Sequence, residues 1–523
     1  MSGLLKSNLA VATGTAMSRI TGLVRVAVLG AVLGAPSALA DAYDLANGTP
    51  NMIYELLVGG VLSSSLVPLF TRLHEEKDRD GTSAVVTVSL IVMAAITAAA
   101  VLAAPLVFRL YSLLTSAAVD AGKYREVGTL LARIFLVQIF FYGINTLASA
   151  LLNARKRFFA AAWVPTLANV VTIASLFLVS GAAGRAHPTL DDVLEKGGLQ
   201  WILGGGATLG IVAMAVALLP SLAAARVRLR FKPDFRHPAV KRLRALSGWA
   251  LGYVVANQIA IVVIRNLLRG GSGSVFSYSR AYMWFVLPHG LLGVSIATTF
   301  LPDMTRSITR KDKDQMIRQS ALGVRLIALV TLPAGFGLFV LRRPIIGAAF
   351  EHGGVTSADA LETSRALAGF ALGLAGFSIY LFVIRVFYAH QDAKSPFKIN
   401  LVENAINIVL AILLVDRYGV LGLGIAFAVA YVVTAAWSLQ VLAYKVPGYP
   451  VRQTFAGLDR MTLAAAIMAE GVWVLTRFVG GNTGVDAVVR IAVGTVAGAA
   501  IYVGVLFALG APELKELRQR VGR

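Results

Sequence analysis

Apolar runs of about 20 residues or more recur along this chain, and each can cross the roughly 30 Å hydrocarbon core of a bilayer as a helix. Hydrophobic residues make up 57% of the 523 residues and charged residues only 14%, which excludes an ordinary soluble domain. We therefore predict an all-α polytopic membrane protein with about fourteen transmembrane helices. The predicted spans are 8–34, 41–71, 82–107, 127–152, 159–183, 198–223, 243–268, 273–302, 319–341, 363–389, 396–415, 419–443, 459–479 and 485–510.

Six arginines lie inside these apolar runs. An arginine at the bilayer centre costs roughly 2.5 to 3.5 kcal/mol on insertion scales, so each needs a cavity, an ion pair or a ligand to offset that cost. An anionic cargo is the candidate that we favour. The six are Arg19, Arg25, Arg133, Arg265, Arg280 and Arg385.

The formal net charge of +21 is distributed by loop parity. Even-numbered connections carry clusters such as Arg155, Lys156 and Arg157, whereas odd-numbered connections are poorer in lysine and arginine. This is the positive-inside pattern, and it places both termini in the cytoplasm and requires an even number of spans. Because the loop pattern accounts for the charge, we predict no nucleic-acid partner.

Several kinds of chemistry have no motif in this chain. It has no cysteine, no Walker-type phosphate loop, no metal-binding His-Glu pair and no nucleophile elbow. We therefore predict a transporter rather than an enzyme, without a cofactor or ATPase activity. Coupling to sodium, protons or the membrane potential remains as the energy source.

An internal repeat predicts the domain organisation. The segment from Gly60 to Arg72 resembles the segment from Gly293 to Arg306, so that Pro68 corresponds to Pro302. Asn169 corresponds to Asn404 in a second match. The sequence separation of this pair differs by one residue from that of Pro68 and Pro302. Chance similarity between apolar segments is the alternative, but two matches at nearly one spacing favour a repeat.

The repeat predicts two six-helix lobes in the same orientation, 1–232 and 233–447, around a central cavity. Residues 448–523 would add two further transmembrane helices and a basic cytoplasmic tail. Two related lobes with polar residues between them are the usual plan of an alternating-access transporter.

The second predicted span carries a polar stripe. Its members follow at spacings of three or four residues, so they share one helix face that is unlikely to contact lipid. Pro50 removes a backbone donor and predicts a bend in a cavity-lining helix. A buried polar seam between helices is the alternative. The stripe consists of Asp41, Asp44, Asn47, Asn51 and Glu55.

Arg19 and Arg25 on the first span are six residues apart, or about 120° around an ideal helix, so they can share one broad cavity. Guanidinium groups bind phosphate in a bidentate manner, and this pair suits a pyrophosphate head group. The alternative is that each arginine pairs with Asp41 or Asp44 to neutralise buried charge.

Further candidates lie in the second predicted lobe. Arg265 and Arg280 are candidate substrate-binding residues, with snorkelling to the interface as the alternative. His289 is either a titrating group or, more often for a lone histidine, a structural one. The eleventh span provides a candidate site for a hard cation or a proton, with a packing cluster as the alternative. Its residues are Glu403, Asn404 and Asn407.

At these positions the chain resembles the MurJ/MviN family of lipid II flippases, within the multidrug, oligosaccharidyl-lipid and polysaccharide exporters. The resemblance covers nearly the whole chain. The segments that carry it include Ser18-Arg19-Ile-Thr-Gly22-Leu-Val-Arg25, Ala40-Asp41-Ala42, Leu45-Ala-Asn-Gly-Thr-Pro50-Asn51 and Arg385-Val-Phe-Tyr388-Ala-His-Gln391-Asp392-Ala-Lys-Ser-Pro396-Phe-Lys398.

This resemblance implies export of the undecaprenyl-pyrophosphate-linked peptidoglycan precursor, lipid II, across the bacterial cytoplasmic membrane. Arg19, Arg25 and Asp41 match the family's head-group residues, and the last two helices would form a groove for the lipid tail. Membrane lipids and cell-wall synthesis proteins are further candidate partners.

The chain departs from the family pattern at several positions. Tyr54 and Glu55 stand where many members have two arginines, and Gly59 stands where they have an acidic residue. Met283 and Val286 occupy the positions of the family's eighth-span arginine and glutamate. A flippase for another undecaprenyl-linked oligosaccharide, a drug antiporter and a non-transporting cell-wall scaffold therefore remain as alternatives.

Overall fold

The computed structural model describes residues 2–34, 36–54, 62–245, 248–351 and 355–511. Within these residues the regular structure is helical, apart from one isolated bridge between Thr115 and Gly270. The chain divides into two compact units, Met1–Phe276 (unit 1) and Ser277–Arg523 (unit 2).

Unit 1 contains fifteen described helices and the start of α16. They are α1 Ser2–Leu33, α2 Ala38–Tyr54, α3 Leu62–Glu75, α4 Arg79–Leu102, α5 Ala104–Tyr111, α6 Ala121–Leu136, α7 Gln138–Ala154, α8 Phe159–Leu176, α9 Val179–Ala183, α10 Leu190–Glu195, α11 Gly197–Gln200, α12 Gly206–Val216, α13 Leu219–Ala224, α14 Pro238–Ala245 and α15 Gly248–Leu267.

The remaining helices are longer on average. They are α16 Ser274–Pro288, α17 Val294–Thr309, α18 Lys313–Phe350, α19 Ser357–Leu372, α20 Leu374–Ala389, α21 Lys394–Lys445, α22 Val451–Thr476 and α23 Gly484–Ala508. One-turn π-helical segments precede α12 and α17, at Trp201–Gly205 and His289–Gly293.

Nine stretches of described helix are long and apolar enough to cross a membrane, or ten if α19 and α20, which meet at a 49° bend, form one span. The predicted all-α polytopic membrane fold is thus confirmed. The count of fourteen stays a prediction. One of the nine stretches, α21, contains two predicted spans, the described apolar helix of the seventh span is the shorter Gly252–Leu267, and residues 55–61 of the second span lie outside the described residues.

Helix α21 contains two predicted spans that are separated by a kink. Its 52 residues would measure about 78 Å as a straight helix, more than twice the thickness of a bilayer core. Gly419 breaks it, with φ 55° and ψ −135°, a conformation that glycine adopts without steric cost. The break separates the predicted spans 396–415 and 419–443.

Helix α1 packs along α8 in unit 1. Asn169 of α8 donates from Nδ2 to the Ser18 carbonyl at 3.1 Å and to the Thr21 hydroxyl at 3.0 Å. A Cβ on Gly14 would lie 2.6 Å from the Trp163 ring, so the two helices approach closely where the small residue lies. This contact orients the helix that carries Arg19 and Arg25.

Helix α18 packs against α19, α20, α22 and α23 in unit 2. Beside it, α19 and α21 approach so closely that a Cβ on Gly369 would lie 2.7 Å from backbone atoms of Gly424 and Ile425. Small residues permit such contacts between membrane helices, where van der Waals packing replaces the hydrophobic driving force.

Residues separated by the same offset as Pro68 and Pro302 share an unusual backbone conformation. Lys77 and Lys311 both adopt positive φ, 56° and 57°, and the next residue in each case is an aspartate that caps a helix. Asp78 accepts from the Gly81 amide and Asp312 from the Gln315 amide. Lys156 and Gln391, related by the offset of Asn169 and Asn404, match in the same way, with φ of 58° and 57°.

We expect Gly369→Ala to destabilise the protein, because a methyl group has no room against Gly424. Overpacking of this kind costs about 1–3 kcal/mol. The measurement is the midpoint of thermal unfolding in detergent.

Gly337→Ala in α18 is the matched control. Nothing lies within 4 Å of a Cβ at Gly337, and alanine favours a helix over glycine by about 1 kcal/mol, so its midpoint should stay or rise. Equal midpoints for Gly369→Ala and the unmodified protein would contradict the close contact.

Candidate functional site

The polar stripe of α2 is the centre of the candidate site in unit 1. Asp41 is fully buried, Asp44 and Asn47 are half-buried, and Asn51 is exposed. Pro50 is accommodated inside the helix, which continues to Tyr54. Glu55, the last predicted member of the stripe, lies outside the described residues.

The Asp41 carboxylate binds backbone amides of the turn that leads into α16. Its Oδ2 accepts from the N–H groups of Gly271 at 3.0 Å and Gly273 at 2.8 Å, and its Oδ1 accepts from Phe276 at 2.9 Å. Three hydrogen bonds to an ionised group offset the cost of burying it. An ion pair of Asp41 with Arg19 or Arg25, considered from the sequence, is not among its contacts with described residues.

Two glycines allow this turn to reach Asp41. Gly271 and Gly273 have φ of 92° and 86°, in the region that favours glycine. A Cβ on Gly273 would lie 2.4 Å from Pro36, and one on Gly271 would lie 2.6 Å from Val119. Sequence reasoning missed this turn, although the cluster of glycines at 270, 271 and 273 was the available signal.

Asp44, one turn along α2, forms an ion pair with Arg265 of α15. The Arg265 Nη1 lies 3.0 Å from Oδ2 of Asp44, and the two side chains are only 16% and 24% exposed. Arg265 therefore neutralises a carboxylate of α2. Both carboxylates that could have paired with the arginines of α1 are thus engaged elsewhere.

Arg19 and Arg25 make no ion pair or hydrogen bond with the residues that the structure describes. Arg19 is exposed and Arg25 is half-buried. These two guanidinium groups are available to an anionic ligand.

Arg280 and His289 lie in unit 2 and have mainly aromatic surroundings. Arg280 is 2% exposed, and its guanidinium carbon lies 4.7 Å from the centre of the Phe350 ring. The Nδ1 of His289 lies 2.9 Å from the Ser378 hydroxyl, and its ring packs edge-on against Phe377. These contacts support the structural alternative for His289.

Glu403, Asn404 and Asn407 lie buried on one face of α21, together with Asn400, which sequence reasoning missed. Asn404 donates to the Asn400 carbonyl at 2.9 Å. Glu403 Oε2 and Asn407 Oδ1 accept no hydrogen bond from any described residue. The spacing of i, i+3, i+4 and i+7 was the available signal for Asn400.

These oxygens are suited to a proton or a hard cation. Within the described ranges, no group of three or more Asp, Glu, His or Cys side chains could bind a metal ion.

The family model described as "Lipid II flippase MurJ" matches residues 29–494. A protein of Vibrio cholerae named "Probable lipid II flippase MurJ" is 28% identical over 530 residues, which cover 98% of each chain. A Thermotoga maritima protein of the same name is 26% identical and covers 99% of each chain.

Solved structures show the same fold. A structure titled "Lipid II flippase MurJ, inward closed conformation" has a TM-score of 0.74 at 23% identity, covering 95% of this chain and 98% of that one. An inward-facing multidrug transporter of the MATE family has a TM-score of 0.64 at 13% identity, covering 82% and 96%. With the family model matching 29–494, this chain belongs to the MurJ family.

Proposed function

We propose that this protein is a flippase that moves lipid II, the undecaprenyl-pyrophosphate-linked peptidoglycan precursor, from the inner to the outer leaflet of the bacterial cytoplasmic membrane. The observation that carries this proposal is how the charged side chains of α1 and α2 are paired. Asp41 and Asp44 bind other groups, and Arg19 and Arg25 lack carboxylate partners among the described residues.

The chemistry of a pyrophosphate fits this arrangement. Each guanidinium of Arg19 and Arg25 presents parallel N–H donors that match two oxygens of a phosphate, and it stays charged at any accessible pH. A ligand with two or more negative charges would offset the cost of two arginines in an apolar span. The reaction is transport, with no bond made or broken.

Alternating access follows from two related lobes, 1–232 and 233–447, with both termini in the cytoplasm. In this proposal the cavity opens to each side of the membrane in turn. Helices α22 and α23 provide the groove for the polyprenyl tail.

The contacts of α2 form a latch in this proposal. Asp41 holds the turn at Gly271–Phe276, and Asp44 holds Arg265 in α15. Opening the latch would leave three backbone N–H groups and two carboxylates without their partners, so water must enter as it opens. The latch therefore favours the closed arrangement when the site is dry.

Glu403 is our candidate for energy coupling. A carboxyl group that is 1% exposed, with one oxygen accepting no hydrogen bond from a described residue, is stable only when protonated or next to a cation. Its charge state would then follow the proton or sodium gradient.

We expect Arg19→Ala and Arg25→Ala to lower lipid II export about tenfold or more each, since each removes a charge-assisted contact to phosphate. The protein is depleted from its host, variants are supplied, and lipid-linked precursor is quantified on each leaflet. Wild type should rescue, and well-expressed variants should leave precursor in the inner leaflet.

The matched control is Arg109→Ala, which removes one positive charge from an exposed position on α5. It should rescue export. Normal precursor distribution after depletion would reject the lipid II assignment, and retention of another undecaprenyl-linked glycan would favour that cargo.

We expect Asp41→Asn to lower stability more than Asp44→Asn. The asparagine NH₂ group would face backbone donors, and each buried donor left unsatisfied costs about 1–3 kcal/mol. The partly exposed Asp44–Arg265 pair is worth less, since solvent screens it. The midpoints of thermal unfolding of both variants in one detergent give the order of their stabilities. The reverse order would show that the three hydrogen bonds from backbone amides to Asp41 do not hold α2.

We expect Glu403→Gln to uncouple transport from its ion gradient, because glutamine keeps the shape of the side chain and cannot be ionised. Export by the variant should not respond to ionophores that collapse the proton or sodium gradient. Glu470→Gln, at an exposed position on α22, is the control and should respond like wild type. A normal ionophore response by Glu403→Gln would exclude Glu403 as the coupling group.

A further inference from the structure

A second concentration of basic side chains lies in unit 1, around a cavity of about 570 Å³. Three connections form its wall: that between α3 and α4, the end of α7, and the segment after α13. The charge pattern of the sequence places these connections on the cytoplasmic side. The cations that line the cavity are Lys77, Arg79, Arg155, Arg226 and Arg228.

None of these five cations forms an ion pair with a residue in the described part of the chain. The Arg155 guanidinium donates to the Leu151 carbonyl of the preceding helix at 3.3 Å. Asp78, the one carboxylate in the described wall, caps α4 by accepting from the Gly81 amide at 2.7 Å. The N-terminal end of α4 also carries a partial positive charge. The wall therefore has a large excess of positive charge.

The internal repeat provides a comparison within the same chain. Lys311, Asp312 and Lys313 of unit 2 correspond to Lys77, Asp78 and Arg79, and they line a smaller cavity of about 290 Å³. His390 lines that cavity at the position that corresponds to Arg155 in the first copy.

The second cavity has fewer lysines and arginines than the first, and one of its three is paired with a carboxylate. Its third cation, Lys445, binds Asp392 at 2.5 Å and the Ser395 hydroxyl at 2.6 Å. Burial raises the pKa of Asp392, but the contacts with Lys445 and Ser395 outweigh it and hold that pKa at about 2. The pair therefore stays ionised at any physiological pH. In unit 1 the position that corresponds to Asp392 is Arg157, a cation in place of the carboxylate that pairs with Lys445.

We propose that the basic cavity of unit 1 binds a multiply charged phosphate group, as a site separate from Arg19 and Arg25. Four guanidinium groups favour the forked geometry of phosphate oxygens. The described wall has no phenylalanine, tyrosine or tryptophan on which a base could stack, so the recognised element is the phosphate itself. A bound phosphate would join three connections that otherwise repel one another.

The test uses the full-length protein in phosphatidylcholine nanodiscs at low salt. In one arm, inorganic pyrophosphate is titrated by calorimetry. In the other arm, the nanodiscs contain phosphatidic acid, whose head group is a bare phosphate, and native mass spectrometry measures the lipid that the protein retains. The first arm detects a soluble phosphate and the second a lipid head group.

The test variant is Arg226→Gln with Arg228→Gln, and its control is Lys311→Gln with Lys313→Gln, which removes the same charge from the second cavity. We expect binding in at least one arm, about tenfold or more weaker in the test variant and unchanged in the control. Arg79→Gln should also weaken phosphate binding. This single variant keeps the test valid if the double variant misfolds.

Binding in neither arm would overturn the proposal, and so would equal losses in both double variants. Because the measurement is direct binding, this result does not depend on lipid II export.

Discussion

The fold of unit 1 depends on how a buried carboxylate is satisfied. Asp41 is fully buried, and three backbone amides of a turn far along the chain hold it there. In an apolar medium a carboxylate is stable only when donors bind its oxygens. Leaving the buried backbone N–H groups without an acceptor would also cost free energy. The contact therefore fixes the start of α2 against the turn before α16.

The engagement of Asp41 has a consequence for the arginines of α1. The first turns of α2 offer two carboxylates, and the Asp44–Arg265 pair takes the second. Arg19 and Arg25 therefore have no carboxylate partner among the described residues, which is the physical basis for proposing a pyrophosphate cargo.

Charge also distinguishes the two copies of the repeat. Their backbones agree at Lys77 and Lys311 and at the capping aspartates that follow, yet the ion pair of Lys445 with Asp392 occurs in the second copy only. Because positions matched in backbone differ in charge, the repeat preserves a framework while each copy acquires its own surface chemistry.

The sequence by itself determined the membrane fold, since hydropathy is a local property, and it predicted the spans and the offset of the repeat. It also picked out Arg19, Arg25 and the Asp41 stripe as unusual. Only the tertiary structure decided what these residues contact. The partners of Asp41 are backbone amides, which every residue except proline carries, so the glycine cluster at 270–273 signals a turn but not the side chain that the turn binds. The same holds for the Arg265–Asp44 pair and for the basic cavity, whose members come from connections far apart in the chain.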